Sequence, residues 1–174
     1  MLFSSRYLKY FKYIMLHKWY VLKVGLKLGI PIVTLILHDL SKFSRLEFTQ
    51  YAKTFYYENG GNTFNPSDQF DEAWLHHQKV NKHHHQAWVL LSDEGTLTPL
   101  PIPYPYVHEM VTDWLVMEMM IPDSLSASDF YLQKCKSMCI HPTSRYLIEL
   151  LLFNYSSLKQ EQFISTNHDD VEVV

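Results

Sequence analysis

Residues 30–44 read IPIVTLILHDLSKFS, and this stretch gives the sharpest indication of fold and function in the chain. An apolar run ends abruptly at the dipeptide His38-Asp39. Pro31 suits the first turn of a helix, so we predict a short buried helix that ends at the dipeptide. At the end of a helix inside a crossing bundle, an adjacent imidazole and carboxylate can approach one ion from the same side.

The flanking sequence predicts an all-α fold, a single helical bundle of about six or seven helices. Periodic apolar residues, capping residues and breakers such as Gly29 set the predicted boundaries. The predicted helices cover 5–28, the short run before His38, 45–57, a segment capped by Ser67 or Asp68 that extends to 91, 106–120, a segment capped by Ser126, and 142–155. Four prolines favour an extended conformation for 92–106. We expect 1–158 to form one domain and 159–174 to be a flexible acidic tail.

The composition describes a chain with enough apolar residues for a core and with no overall excess of positive charge. Hydrophobic residues make up 47% of the 174 positions. The formal net charge is −3, which gives no indication of nucleic-acid binding. Residues 1–37 nevertheless contain no acidic residue, so they form either a solvated helix face or a surface that faces anions or a membrane. Their basic residues are Arg6, Lys9, Lys12, Lys18, Lys23 and Lys27.

Cysteine usage and hydropathy predict a cytoplasmic location. Cys135 and Cys139 lie one helical turn apart, where a disulfide is awkward, and neither begins a metal-binding cysteine motif. The apolar run near residue 30 falls far short of the ~20 residues that a membrane-spanning helix needs. No compact apolar region followed by a small-residue cleavage site indicates a secretory signal.

Several predicted helices carry an ionisable side chain inside their apolar stripe. Helical spacing places His17 inside the stripe of the first helix and Asp113 inside that of the fifth. Any one of these alone is more often a core histidine or a salt-bridged aspartate. The stripe of the fourth helix contains His77, Asn81 and His84, whereas the neighbouring side chains that point elsewhere are His76, His83 and His85.

Ionisable groups that face inward from four helices need a common partner, because an unpaired buried charge is costly. The apolar stripes contain almost no basic side chain that could fill this role. A divalent cation can fill it, since it accepts neutral imidazole and carboxylate ligands together. We therefore predict a metal site where the first, second, fourth and fifth helices meet.

The ordered set of histidines and aspartates resembles the HD superfamily of metal-dependent phosphohydrolases, whose members are all-helical. In that superfamily one helix supplies a histidine, the next a His-Asp pair and a later helix an aspartate. The chain has the same order: His17, His38-Asp39 and Asp113. The motif HDLSK is similar to the His-Asp-x-x-Lys version found in HD-GYP cyclic-dinucleotide phosphodiesterases and in CRISPR HD nucleases. No Gly-Tyr-Pro signature occurs, so the cyclic-dinucleotide assignment is not carried over.

Three longer stretches, AWLHHQKVNKHHHQAW, HDLSKF and EMVTDW, also resemble a group of small stand-alone HD-like proteins from bacteria and phages. The resemblance implies a centre of one or two divalent metal ions, whose identity among Mn, Mg, Co, Fe and Zn is open. The implied metal ligands are His17, His38, Asp39, His77, His84 and Asp113. Of these, His77 and His84 resemble the two extra histidines that complete a second metal site.

The implied activity is hydrolysis of a phosphate ester by a phosphohydrolase or phosphodiesterase, and the expected substrate is small and nucleotide-like. Asp39 and Lys42 then have catalytic roles, and the expected substrate contacts are Lys42, Arg45 and Asn81. Simpler interpretations remain open for the last three. Lys42 could be a solvent-exposed lysine at a helix end, Arg45 a surface residue, and Asn81 a structural hydrogen-bond donor.

Two further functional classes also remain open. HD-fold oxygenases that hold two irons use a ligand set of the same kind, so oxidation is the second hypothesis. A non-catalytic protein that binds a nucleotide or another protein is the third. A homodimer is compatible with the sequence, and the sequence does not decide which of His83, His84 and His85 bind a metal.

Overall fold

The computed structural model describes residues 5–158, and nearly all of their secondary structure is helical. The α-helices in this range are α1 Ser5–Lys27, α2 Ile32–Leu37, α3 Arg45–Phe55, α4 Asp68–Val80, α5 Tyr104–Met120, α6 Ala127–Lys134 and α7 Pro142–Leu158. The smaller elements are the 3-10 turns Leu40–Phe43 and His85–Trp88 and the antiparallel strands β1 (Val89–Leu91) and β2 (Leu97–Pro99). The all-α bundle predicted from the sequence is confirmed for this part of the chain. The predicted acidic tail, 159–174, lies outside the described residues.

α1 buries the apolar stripe that its sequence predicts. The side chains of this stripe that are almost fully buried are Tyr10, Ile14, His17, Val21 and Val24. α1 packs against α2, α3 and α5, which cover the buried face of the helix. His17 therefore lies in the interior, on the side of α1 that faces these neighbours.

α1 and α5 connect the three apolar clusters that the described residues form. One cluster unites α5 with α6 and α7 through residues such as Val111, Tyr131 and Ile148. A second cluster, rich in aromatic rings, joins α1, α3 and α4, and a third joins α1, α2 and α5. Because α1 and α5 pack directly against each other, ionisable side chains on their facing sides are enclosed by apolar structure.

The connection between α1 and α2 depends on two glycines. Gly29 has a φ of 79°, a conformation that residues with a side chain rarely adopt, and it follows the end of α1. Gly25 lets α2 pack closely against α1, because a Cβ at this position would lie 2.2 Å from Cδ2 of Leu35.

α2 is mostly exposed, so the prediction of a buried second helix is wrong. Leu35 is buried, but four other apolar residues of the helix are more than half exposed: Ile32, Val33, Ile36 and Leu37. The helix has only six residues and packs mainly against α1, so a single face of it is covered. An apolar run is therefore weak evidence of burial on its own. Within residues 5–158, no helix is both long enough and apolar enough to cross a membrane.

α4 ends at Val80, so the prediction of a helix that extends to 91 is wrong in its second half. Asn81 leaves the helical conformation with φ −94° and ψ 104°. Its side-chain amide donates to the carbonyl of His77 at 2.9 Å and to Oγ of Ser41 at 2.8 Å. Local side-chain hydrogen bonds of this kind compete with continuation of a helix. The chain then forms a 3-10 turn and the β1–β2 hairpin.

The predicted boundaries of α3 and α5 are each wrong by two residues at one end. α3 ends at Phe55, and the chain is extended at Tyr56. α5 begins at Tyr104, because Pro103 occupies its cap and Pro105 its first turn, where a missing N–H costs nothing. The extended stretch before α5 is correspondingly shorter than predicted.

Candidate metal centre

The break after α2 brings His38 and Asp39 to the same point. α2 ends at Leu37, and Asp39 adopts a left-handed conformation with φ 55° before the 3-10 turn begins. Adjacent side chains on a continuous helix point ~100° apart. Here the break places Nε2 of His38 3.4 Å from Oδ2 of Asp39. Lys18 secures the break, since its Nζ donates to the carbonyls of Ile36 at 2.9 Å and His38 at 2.6 Å.

The first donor group consists of His17, His38, Asp39 and Asp113. Nε2 of His17 lies 3.3 Å from Nε2 of His38. It also lies 3.4 Å from Oδ2 of Asp39 and 3.1 Å from Oδ1 of Asp113. Nε2 of His38 lies 3.4 and 3.6 Å from the same two oxygens. Two donors bound to one ion at about 2.1 Å lie roughly 3.0–3.4 Å apart, so this group has the spacing of a metal site.

The second donor group consists of Asp39, His77, His83 and His84. Oδ1 of Asp39 lies 3.4 Å from Nε2 of His77 and 3.5 Å from Nε2 of His83. Nε2 of His84 lies 2.9 Å from Nε2 of His77. One ligand atom from each of the four lies within 4.8 Å of the others. Asp39 turns Oδ2 to the first group and Oδ1 to the second, and it thereby joins them into one centre.

His83 belongs to this centre, so the prediction that its side chain points elsewhere is wrong. That prediction assumed that the fourth helix continues past Val80. Because the helix ends there, His83 and His84 lie in a turn, and both rings can face the centre. His83 is 3% exposed and also lies within reach of His38 and Asp113, between the two groups.

His76 and His85 belong to neither donor group, as predicted. Nδ1 of His76 lies 2.6 Å from Oε1 of Glu47, on the outer side of the centre. Burial lowers the pKa of His85, whose ring interacts with the Cys139 backbone and the Arg145 charge. Of the three consecutive histidines, the structure thus brings the first two into the centre and directs the third away.

Two glutamates orient the imidazole rings from behind. Oε1 of Glu109 lies 2.8 Å from Nδ1 of His38 and 3.2 Å from Nδ1 of His83. Oε2 of Glu47 lies 2.8 Å from Nδ1 of His77. A carboxylate at Nδ1 fixes the ring so that Nε2 is free to bind a metal. Because His38 and His83 belong to different donor groups, Glu109 supports both groups.

Glu47 is a residue of the candidate centre that the sequence pattern did not single out. Its backbone N–H donates to Oγ of the cap residue Ser44 at 3.2 Å, so its position is that of an ordinary acidic residue in the first turn of α3. One signal in the sequence does mark it. Glu47, Tyr51 and Thr54 share one helical face, and all three are buried.

Asn81 is engaged inside the protein. Besides its bonds to His77 and Ser41, it is linked to Glu47, because Oγ of Ser41 donates to Oε2 of that glutamate at 3.0 Å. Hydrogen bonds therefore run from the end of α4 to the carboxylate that holds His77. This arrangement supports the structural interpretation of Asn81.

The carboxylates of the centre are held in their ionised form. Burial acts to raise the pKa of Asp39, but Lys42 and His38 hold it well below its usual range. Burial acts in the same direction on Asp113, whose pKa is held well below its usual range by the nearby rings of His17 and His38. Both ionised carboxylates are therefore available to bind a cation.

The histidines respond differently to these charges. Burial acts to lower the pKa of His38, but the surrounding carboxylates, above all Asp39, raise it to about 10. Without a metal, the centre therefore attracts a proton to this ring. Burial and the nearby His83 hold the pKa of His84 well below its usual range, so that ring is neutral, which is the form that binds metals.

Unpaired atoms in the centre provide a test of whether a metal fits. Within the described residues, Oδ1 of Asp39, Oδ1 of Asp113 and Nε2 of His83 are buried and have no hydrogen-bond partner. An unsatisfied buried polar atom costs about 1–3 kcal/mol. All three atoms belong to the donor groups, and imidazole nitrogen with carboxylate oxygen is a common ligand set. The residues present therefore fit a metal ion at each group.

Lys42 reaches the centre from a pocket of about 560 Å³. Its Nζ lies 2.5 Å from Oδ2 of Asp39, and its side chain is only 13% exposed, which favours a functional lysine over a solvated one. Arg45 is exposed at the first position of α3, outside the lining of this pocket. The polar residues of the lining include Lys42, His77, His84 and Asp113.

The chain matches a protein family over most of its length. Residues 6–154 match the family model described as a family of unknown function, DUF5662. The chain belongs to this family. The matched range of DUF5662 includes every residue of both donor groups. No curated protein and no solved structure matches the chain.

Proposed function

We propose that this DUF5662 protein is a metal-dependent hydrolase of phosphate esters, and that its substrate is a nucleotide or a related small phosphate. The observation that carries the proposal is the pair of donor groups that share Asp39. Centres with two neighbouring cations are common in phosphatases and nucleases. The ordered ligand set, with its resemblance to the HD superfamily, supports the same activity.

The residues of the chain have distinct tasks in this proposal. When bound, the cations lower the pKa of a coordinated water and polarise a phosphoryl oxygen. Lys42 carries a fixed positive charge at the junction of pocket and centre, where it stabilises negative charge on the phosphate. Asp39 holds this ammonium group in place and joins the two donor groups. Glu47 and Glu109 keep the imidazole rings oriented.

The donor chemistry favours a transition metal. The first donor group has two imidazoles and two carboxylates, and the second has three imidazoles and one carboxylate. Magnesium prefers oxygen ligands and retains several waters, whereas imidazole suits iron, cobalt and zinc. We therefore place iron, cobalt and zinc ahead of manganese and magnesium.

Phosphate release by protein loaded with each metal in turn is the test. We expect metal-dependent hydrolysis of nucleotides that a chelator abolishes. Lys42→Ala should retain its metal but lose roughly 100-fold in turnover, the usual effect of removing a charge-stabilising group. Lys53→Ala, which changes an exposed lysine on α3, is the matched control and should keep full activity. No product from any nucleotide with any of the five metals would contradict the proposal.

An oxygenase that uses two irons is the second candidate function. The nitrogen-rich second donor group favours it, because imidazole is a good ligand for iron. The deciding measurement is iron content together with oxygen consumption during the same substrate screen. Two irons per chain and oxygen uptake without phosphate release would replace hydrolysis by oxidation.

A non-catalytic binding protein is the third candidate, and the two complete donor groups argue against it, since a pure binder does not need them.

We also propose a cytoplasmic location. Cys135 and Cys139 are both free, as expected in a reducing compartment. A homodimer remains a prediction from the sequence, which size-exclusion chromatography with light scattering would test.

A further inference from the structure

The pocket beside the metal centre has a charged part and an apolar part. Its volume of about 560 Å³ lies within the ~300–1,000 Å³ typical of small-ligand pockets. The charged and metal-binding side chains are confined to the part that meets the centre. Most of the remaining lining is aromatic or aliphatic, as in Phe55, Tyr56 and Met120.

Positive charge in the pocket is limited to one side chain. Among the described residues that line it, Lys42 is the one lysine or arginine. Together with the metal-binding groups it can neutralise a single phosphate. Further phosphates of a polyphosphate chain would lie against apolar residues such as Met117, Ile121 and Pro122, where unpaired charge is costly.

A tryptophan stands directly beside the second donor group. The indole of Trp74 stacks on the ring of His77, with centroids 5.6 Å apart and planes 19° apart. It also meets the ring of His84 edge-on at 5.5 Å. A ligand whose phosphate reaches the centre must therefore pass close to this indole. Stacking of a planar group on an aromatic side chain changes affinity by roughly 5- to 150-fold.

Two tyrosine hydroxyls of the lining lack an acceptor. Tyr10 and Tyr51 are 1% and 6% exposed, and within the described residues their hydroxyls have no hydrogen-bond partner. The two rings stack on each other, with centroids 5.9 Å apart. A buried donor without an acceptor is unfavourable, so a ligand that offers oxygen or nitrogen acceptors would satisfy both hydroxyls.

We propose that the substrate is a phosphate monoester with one phosphate group and a flat aromatic or heteroaromatic remainder that packs beside Trp74. This inference rests on the proposed hydrolase activity. In the reaction, the oxygen of a water forms a bond to phosphorus and the ester P–O bond breaks. The departing alkoxide receives a proton from that water, so the products are inorganic phosphate and an alcohol.

Turnover of paired substrates tests the preference directly. 2-Phenylethyl phosphate and ethyl phosphate share an alkoxide leaving group and differ in the ring. Adenosine monophosphate and triphosphate share a ring and differ in charge, and release of adenosine is measured for both so that the same ester P–O bond breaks. We expect kcat/KM to be at least roughly tenfold higher for the 2-phenylethyl ester than for the ethyl ester, and for the monophosphate than for the triphosphate. Equal values within both pairs, or a preference for the triphosphate, would overturn the inference.

Binding of phosphonates tests the same preference without turnover. Calorimetric titration of zinc-loaded protein should show phenylphosphonate bound at least roughly tenfold more tightly than methylphosphonate. Trp74→Leu should remove most of this preference. Trp19→Leu, which changes a 58% exposed tryptophan on α1, is the control and should retain it. If Trp74→Leu does not fold, Tyr51→Phe, which removes one unpaired hydroxyl, takes its place. This variant should bind phenylphosphonate more weakly, whether or not its binding of methylphosphonate also weakens.

The two experiments separate the inference from the proposed function. A phosphonate preference without hydrolysis of any ester would remove the hydrolase proposal and leave the ligand class standing. Hydrolysis without any preference in either experiment would retain the hydrolase and overturn the ligand class. Equal binding of both phosphonates, unchanged by Trp74→Leu, would likewise overturn it.

Discussion

Glu109→Gln tests whether one carboxylate supports both halves of the centre. Oε1 of Glu109 lies 2.8 Å from Nδ1 of His38 and 3.2 Å from Nδ1 of His83, and these two rings belong to different donor groups. Glutamine keeps the shape of the side chain but removes the charge that makes each ring a better ligand. Loss of such a partner typically costs 10–100-fold in metal affinity, or about 1.4–2.7 kcal/mol. We expect a loss of this size at both donor groups.

The assay is a titration of metal-free protein with zinc in competition with a chelating dye. Glu47→Gln is the matched comparison, because Glu47 contacts His77 and therefore a ligand of the second donor group. It should weaken one of two binding steps, whereas Glu109→Gln should weaken both. Glu149→Gln removes the charge of a carboxylate on α7 that accepts from the Tyr131 hydroxyl, outside both donor groups, and should change neither step.

Two results would refute this reasoning. Unchanged zinc affinity in Glu109→Gln would show that the short contacts to the two rings do not orient ligands. Equal weakening of both steps in Glu47→Gln would show that the groups do not have separate supports. Circular dichroism of each variant establishes that the helical content is kept, so that a change in affinity reports on the centre.

Three further predictions concern single side chains and pH. His83→Ala should abolish zinc binding at the second donor group, whereas His85→Ala should leave both zinc-binding steps unchanged. The ring of His83 faces the centre and the ring of His85 does not. In metal-free protein the pKa of His38 is raised from 6.5 to about 10, so protonation of this ring stabilises the fold fully below pH 6.5 and this contribution is lost as pH rises to 10. The Tm of metal-free protein should therefore fall over that interval. Zinc needs the neutral ring, so the increase in Tm that zinc causes should grow over the same interval.

These predictions have clear contrary outcomes. Retention of both zinc steps in His83→Ala would remove that histidine from the centre. A Tm of the metal-free protein that rises between pH 6.5 and 10 would mean that the carboxylates do not stabilise a protonated His38. A zinc-induced shift that shrinks with rising pH would mean that zinc does not compete with protons for the ring.

The part of the centre that follows helical periodicity could be predicted from the sequence. His17 and Asp113 lie in regular helices, so the 3.6-residue period places both on buried faces, and the structure brings them within 3.1 Å of each other. The break at His38-Asp39 was also indicated, since a His-Asp pair follows the apolar run directly. Helical periodicity and the local sequence motif are enough to predict the positions of these residues.

The remaining features depend on contacts between distant segments. His83 faces the centre because α4 ends at Val80, and the next residue, Asn81, is held by Ser41, forty positions earlier in the chain. α2 is exposed because nothing in residues 5–158 covers its outer face. Its apolar sequence alone does not indicate this exposure. Glu109 lies in the regular helix α5, but its contact with His83 depends on where α4 ends.

The most direct test of the centre is the metal content of purified protein and of its Asp39→Asn variant, measured by inductively coupled plasma mass spectrometry after growth with added iron, cobalt, zinc and manganese. Asp39 contributes a donor to both groups, so wild-type protein should contain one or two equivalents of metal, and the variant should lose most of it while remaining helical. Asp71→Asn, at an exposed position on α4, is the control and should match wild type. Equal metal content in wild type and Asp39→Asn, or no metal in folded wild-type protein, would contradict the account.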